Sequence, residues 1–172
     1  MIDVSKLLAD GGTYGEPEPE DLHDRSIDPA VRDYFATLRF HLFRFHPDGT
    51  FLYCWIDADI HGSTEHVEEG TYALDDDTLV LAYTQRHTCS NRRFEGRSVT
   101  HEQDPYTERI PLREGPDGVE LDAEAEGAHG ATTRFVPIRR CPAQQCWLDE
   151  LDDAVAECRS LATLPEAPGE PG

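Results

Sequence analysis

The stretch HVEEGTYALDDDTLVLAY, His66 to Tyr83, alternates in polarity, breaks at three aspartates and alternates again. Alternate residues of a strand share a face, so this is the pattern of a β-hairpin with one larger, more aromatic side. The pattern recurs along the chain. TLRFHLFRFH runs into Pro47-Asp48-Gly49 and on into TFLYCWIDAD, with Gly49 placed to take the positive φ of a hairpin turn. A strand from about Arg92 to His101 follows the loop at HTCSN, and YTERIPLR, VELDAEA and TTRFVPIRR are then joined at EGPDG and AHGA. Eight such segments with no helix between them predict an all-β fold, an eight-stranded antiparallel up-and-down barrel, because closure removes both unpaired edges. Pro111 and Pro137 fall inside the sixth and eighth segments, where each removes a ladder N–H, and predict bulges or an imperfect seam.

The flanks read differently. Residues 3–9 have room for one or two helical turns before Gly11-Gly12, and YGEPEPEDLHDRS is a proline-rich acidic arm. Asp28-Pro29 is an N-cap and first helical residue for a short helix through about Phe35. After Cys141, CWLDELDDAVAECRSLATL places Trp147, Leu148, Leu151, Val155, Cys158 and Leu161 at helical spacing, which predicts an amphipathic helix on the outside of the barrel. The expected organisation is an arm with a short helix at 1–36, a barrel at 37–140, the C-terminal helix at 141–164 and a disordered tail at 165–172.

Charge narrows the partners. The net charge is -20, and segments 1–36 and 147–172 carry nine acids against three bases and seven against one, so more than half the excess lies on the flanks. Such a surface repels nucleic acid and anionic membrane, and neither is expected as a partner. MIDVSKLLADGG lacks a basic n-region and a sustained apolar run, so the expectation is a cytoplasmic protein. The five cysteines are odd in number and come without a secretion signal, so reduced, buried thiols are expected.

The segments FRFHPDGTFLYCW and EEGTYALDDDTLVLAY together resemble bacterial lipocalin-like proteins of the calycin group: an aromatic strand, a DGTF hairpin, then a GTY-x-L-D-D-D-T-L-V-L hairpin. The resemblance covers roughly residues 37–140. It implies a cup that holds a small, largely apolar molecule, and it names no ligand. The G-x-W signature of the lipocalin first strand is absent, Trp55 standing in the second strand instead. The glycine-rich start of related haem-binding barrels is missing too, so no histidine carries over as a haem ligand and no cofactor is expected.

Alternation also assigns the faces. His66, Glu68, Gly70, Tyr72 and Leu74, continued by Leu79, Leu81 and Tyr83, form the larger and more aromatic side and are placed inside, with Phe51, Tyr53, Trp55 and Asp57 from the second strand. Phe94 and Ser98, Ile110 and Leu112, and Val119 and Leu121 are inward candidates on later strands. Leu52, Cys54 and Ile56 then point outward, to be covered by the C-terminal helix or a second copy in a homodimer. An eight-stranded barrel is just wide enough to be filled by side chains or to hold one small ligand. Carboxylates and phenols among the inward residues favour a ligand, since such groups are costly to bury without partners. The candidate binding residues are Tyr53, Trp55, Asp57, Glu68, Tyr72, Tyr83 and Phe94. Asp57 and Glu68 double as candidate general acids or bases of a cofactor-independent cyclase or isomerase. A third reading is an acidic module that binds a basic protein. Metal binding is not expected, although Asp57, Asp59, His61, His66 and Glu68 alternate around one loop, and neither CPAQQC with Cys158 nor His87 with Cys89 has a spacing that selects a metal or a nucleophile.

Overall fold

The computed structural model describes residues 2–16, 41–59, 61–93, 95–103, 105–124 and 132–137. A short helix, α1 (Val4–Leu7), and one 3-10 turn precede nine strands. These are β1 (Thr13–Gly15), β2 (His41–Phe45), β3 (Thr50–Asp59), β4 (Gly62–Asp75), β5 (Thr78–Arg92), β6 (Gly96–Glu102), β7 (Tyr106–Gly115), β8 (Gly118–Glu124) and β9 (Thr132–Pro137). Every pairing is antiparallel, and the circuit β1-β2-β3-β4-β5-β7-β8-β9 returns to β1. The chain therefore forms a closed eight-stranded antiparallel barrel, compatible with a lipocalin-like fold.

Membership of the circuit differs from the expectation in one exchange. The strand expected near 92–101 exists as β6, but it pairs only with the far half of β5, from Arg86↔Glu102 to Arg92↔Gly96. β7 takes the near half, from Thr78↔Pro111 to Tyr83↔Tyr106. With 14 and 15 residues, β4 and β5 outrun the barrel wall, and β6 extends the sheet where they do so. The eighth place is filled by β1, only three residues long.

Local chemistry fixes the turns. Gly49 takes φ 84° at the β2–β3 turn, and the Asp48 carboxylate accepts the Thr50 N–H at 2.9 Å and its hydroxyl at 2.6 Å. The β4–β5 turn runs through Asp76 at φ 53°, a left-handed position that aspartate tolerates better than most residues. The ladder shifts register between Glu69 and Gly70, where a Cβ on Gly70 would stand 2.0 Å from the Ala82 carbonyl oxygen. This bulge falls on β4–β5 rather than at Pro111, which ends the β5–β7 ladder. Pro137 does lie at the seam: β1 and β9 share only the pairs Tyr14↔Pro137 and Gly15↔Val136.

The inward face is the one read from alternation. Phe43, Phe45, Phe51, Leu79, Leu81, Ile110, Leu121 and Phe135 are 0–1 % exposed and form one core with Tyr53, Trp55 and Tyr83. Burying each such side chain contributes about 1.5–3 kcal/mol. Phe43 links the layers, stacking on Tyr53 at 4.4 Å and meeting Phe135 edge-on at 5.0 Å. α1 closes one end of the barrel. Asp3 caps it by accepting the Lys6 N–H, Leu7 is fully buried, and the Tyr14 hydroxyl donates to the Leu7 carbonyl at 2.8 Å. The Ile2 N–H reaches Asp77 at 3.1 Å and Lys6 pairs with Glu114, so the plug is tied to the β4–β5 turn and to β7. None of the helices among the described residues is long and apolar enough to cross a membrane. The short helix at 29–35 and the C-terminal helix at 141–164 lie outside the described residues.

Outside the barrel, Leu42, Leu52, Cys54, Val67 and His87 are buried as well. They sit on the outward face of β2–β5, where cross-strand register aligns Leu42, Cys54, Val67 and His87 in one row. Cys54 is outside any disulfide, as expected, but Cys89 is disulfide-bonded, which overturns the expectation of five reduced cysteines. An odd count requires only that one cysteine stay out of a disulfide, and Cys54 meets that condition.

Candidate functional site

The end of the barrel opposite α1 is chemically unlike the rest. Antiparallel register places His41, Trp55 and His66 in one cross-strand row, Tyr53, Glu68 and Arg86 in the next, and Tyr83 beside Tyr106. Glu108 follows two residues after Tyr106 on the same face of β7. Here the aliphatic and phenylalanine interior gives way to rings that end in polar atoms.

Glu68 is the buried centre of this layer, with a side chain 4 % exposed. The Arg86 guanidinium donates twice to Oε1, from Nε at 2.8 Å and from a terminal nitrogen at 2.6 Å, and the Tyr106 hydroxyl donates to Oε2 at 2.9 Å. Arg86 also lies over the Trp55 ring, 5.6 Å from its centroid, while His66 stacks on Trp55 at 4.6 Å. Tyr83 and Tyr106 stack at 4.2 Å with an interplanar angle of 8°. The Tyr83 hydroxyl donates to Glu108 at 2.9 Å, and the Tyr53 hydroxyl shares a hydrogen bond of 2.9 Å with His41.

Burial sets the proton affinities. It pushes the Tyr83 and Tyr106 phenols far above the ordinary tyrosine range, reinforced by Glu108 beside Tyr83 and by Glu68 beside Tyr106. Burial also pushes the Glu108 carboxyl up, against the hydrogen bonds from Tyr83 and the Glu124 backbone and in concert with the nearby Glu124 and Glu68 charges. Both tyrosines therefore stay neutral donors. Glu108 is the carboxyl in this layer that burial drives toward its protonated form.

The candidate residues named from sequence divide. Tyr53, Trp55, Glu68 and Tyr83 are brought together in this layer, with Trp55 and Tyr53 each 4 % exposed. Tyr72 is separated from them: it packs edge-on to Phe45 at 5.2 Å and donates to the His46 carbonyl, toward the plugged end. Asp57 stands opposite Thr64 in the β3–β4 ladder, and its side chain, like Phe94, lies outside the described residues. Arg86, Tyr106, Glu108 and His41 were not among those candidates. Among the described residues, no group of three or more His, Cys, Asp or Glu side chains is arranged to hold a metal ion. His66 is stacked on Trp55 and Glu68 is bonded to Arg86 and Tyr106, rather than sharing a ligand sphere.

A cleft of about 840 Å³ lies elsewhere, on the outer wall beside the β2–β3 turn and the β4 bulge. It is bordered by His46, Asp48, Thr50, Leu52, Glu69 and Thr84, and by none of Tyr53, Trp55, Glu68 or Tyr83. Its polar groups are engaged locally, Asp48 by Thr50 and the Thr84 hydroxyl by the Glu69 carbonyl. No family model matches the chain, and neither a curated protein nor a solved structure matches it.

Proposed function

We propose that this barrel binds a small, largely apolar molecule at the end opposite α1, as a carrier or sensor. The observation that carries the reading is the layer of Tyr53, Trp55, Tyr83 and Tyr106 with Glu68 and Arg86 among the rings. A barrel end built only for stability has no need of a buried carboxylate: an apolar pair of similar volume is often as stable as a buried ion pair. Rings with convergent polar groups are instead the composition of small-molecule sites. The lower barrel is packed with side chains, so the ligand belongs at the mouth, against Tyr106 and Trp55, and not deep in the interior.

A second reading, a cofactor-independent cyclase or isomerase at the same mouth, is favoured by one observation. Burial pushes the Glu108 carboxyl above the ordinary glutamate range, the direction in which a general acid is tuned. Glu68, engaged by Arg86 and Tyr106, positions the layer instead. Native mass spectrometry of the purified protein tests the binding reading: a co-purified molecule of small mass supports it and is the first compound to assay for turnover. A bare chain that also takes up no aromatic probe at millimolar concentration overturns both readings.

A further inference from the structure

Resting on the binding reading above, we infer that the mouth selects a planar aromatic ligand bearing a positively charged nitrogen, with Glu108 as its anchor. The two carboxyls at this end differ in how far their charges are matched. Glu68 has the Arg86 guanidinium on one oxygen and a phenol on the other, and is complete. Glu108 shares the same end of the barrel and accepts from Tyr83, a neutral donor. Among the described residues no basic side chain forms an ion pair with it, and Arg86 is committed to Glu68.

The surroundings fit a cation better than an anion or a neutral alcohol. Tyr83 stacks on Tyr106 and donates its hydroxyl to Glu108, and Tyr106 is 38 % exposed, so an aromatic side chain of this pair is accessible to a ligand. Aromatic faces attract cations, most strongly where water is thinned. An ammonium laid against Tyr106 also gives Glu108 the opposite charge that the fold withholds. A carboxylate ligand in the same place meets Glu68 and Glu108, and among the described residues the cation of this layer, Arg86, already pairs with Glu68. Burial already disfavours the Glu108 charge, and a cationic ligand relieves that, so binding is coupled to loss of the Glu108 proton.

The test uses three probes of one shape: 1-naphthylmethylamine, 1-naphthylmethanol and 1-naphthoate, titrated calorimetrically into the full chain near neutral pH in moderate salt. The amine is expected to bind at least tenfold more tightly than the alcohol, and the naphthoate most weakly. In Glu108→Gln that preference collapses to within about twofold while the alcohol's affinity is kept. Because the whole protein is strongly acidic, Glu114→Gln, which removes one exposed charge at the plugged end, serves as the comparison and is expected to keep the preference. Equal binding of amine and alcohol, or a preference that survives Glu108→Gln, overturns this inference and leaves the binding reading standing. No binding of any probe overturns the binding reading and this inference together.

Discussion

Glu68 on β4 has Arg86 and Tyr106 on its two oxygens, whereas Glu108 on β7 has the Tyr83 phenol, the Glu124 backbone and, among the described residues, no ion-pair partner. The two carboxyls therefore respond differently to substitution. Arg86→Met leaves the Glu68 charge buried with only a neutral donor, and is expected to cost about 2–4 kcal/mol in urea unfolding. Adding Glu68→Leu removes the stranded charge, so the double variant is more stable than Arg86→Met alone; costs that simply add contradict the pairing. For Glu108 the sign follows from its raised pKa. The folded state holds this proton more tightly than the unfolded chain does, so the group's contribution is full at acid pH and is lost as pH rises through the raised value. Glu108→Gln keeps an acceptor for Tyr83 without the charge. Its stability relative to the unsubstituted protein should rise as pH climbs past the ordinary glutamate range toward the raised value, and a difference flat in pH contradicts the assignment. On the outer wall, Glu120 is buried against Arg113 at 2.9 Å, a satisfied pair that bridges β7 and β8 and makes no demand on a ligand.

Among the elements, the plug lies away from the site, whereas the bulge borders it at Tyr83 and Arg86. Leu7 in α1 is fully buried among the core residues at the closed end, and Leu7→Ala is expected to cost about 2–4 kcal/mol while leaving probe binding at the far mouth unchanged. A loss of binding as large as the loss of stability would place the ligand deep in the barrel instead. The meander was legible because β2–β5 and β7–β9 are long enough to alternate and their turns carry PDG, DDD and GPDG. β1 was not legible: three residues are too few for a period to show, and Gly12 sets the chain against β2 through its carbonyl, which accepts the Phe45 N–H at 2.8 Å. The site was half legible for a related reason. Strict alternation from Tyr83 points Gln85 and His87 inward, but the bulge inserts one residue into β5 and turns Arg86 to the interior row of Glu68 and sends His87 outside. Tyr106 and Glu108 lie four and two residues before Ile110 on the face already assigned inward, so their placement was legible although only Ile110 and Leu112 were named from that strand.

At the scale of the whole molecule, the barrel has a plugged apolar end and an aromatic end tipped with polar groups, and its covalent state adds a separate constraint. With Cys89 disulfide-bonded, at most three of the five cysteines are thiols. Denatured, unreduced protein should therefore take up no more than three alkyl groups by mass, and five would contradict the bridge. The excess of acids over bases is expected to disfavour nucleic acid and anionic surfaces as partners. The proposed ligand would be sensed at Trp55, whose indole stacks with His66 and lies under the Arg86 guanidinium at the end where the ligand is proposed to sit. The direct measurement is the indole N–H signal of Trp55 in nitrogen–proton correlation NMR, assigned by its loss in Trp55→Phe and followed during titration with 1-naphthylmethylamine. The account predicts a saturable shift that reaches its plateau near one equivalent and shares its midpoint with the calorimetric curve. A Trp55 signal that stays fixed while calorimetry records binding, or while no binding occurs at all, contradicts it.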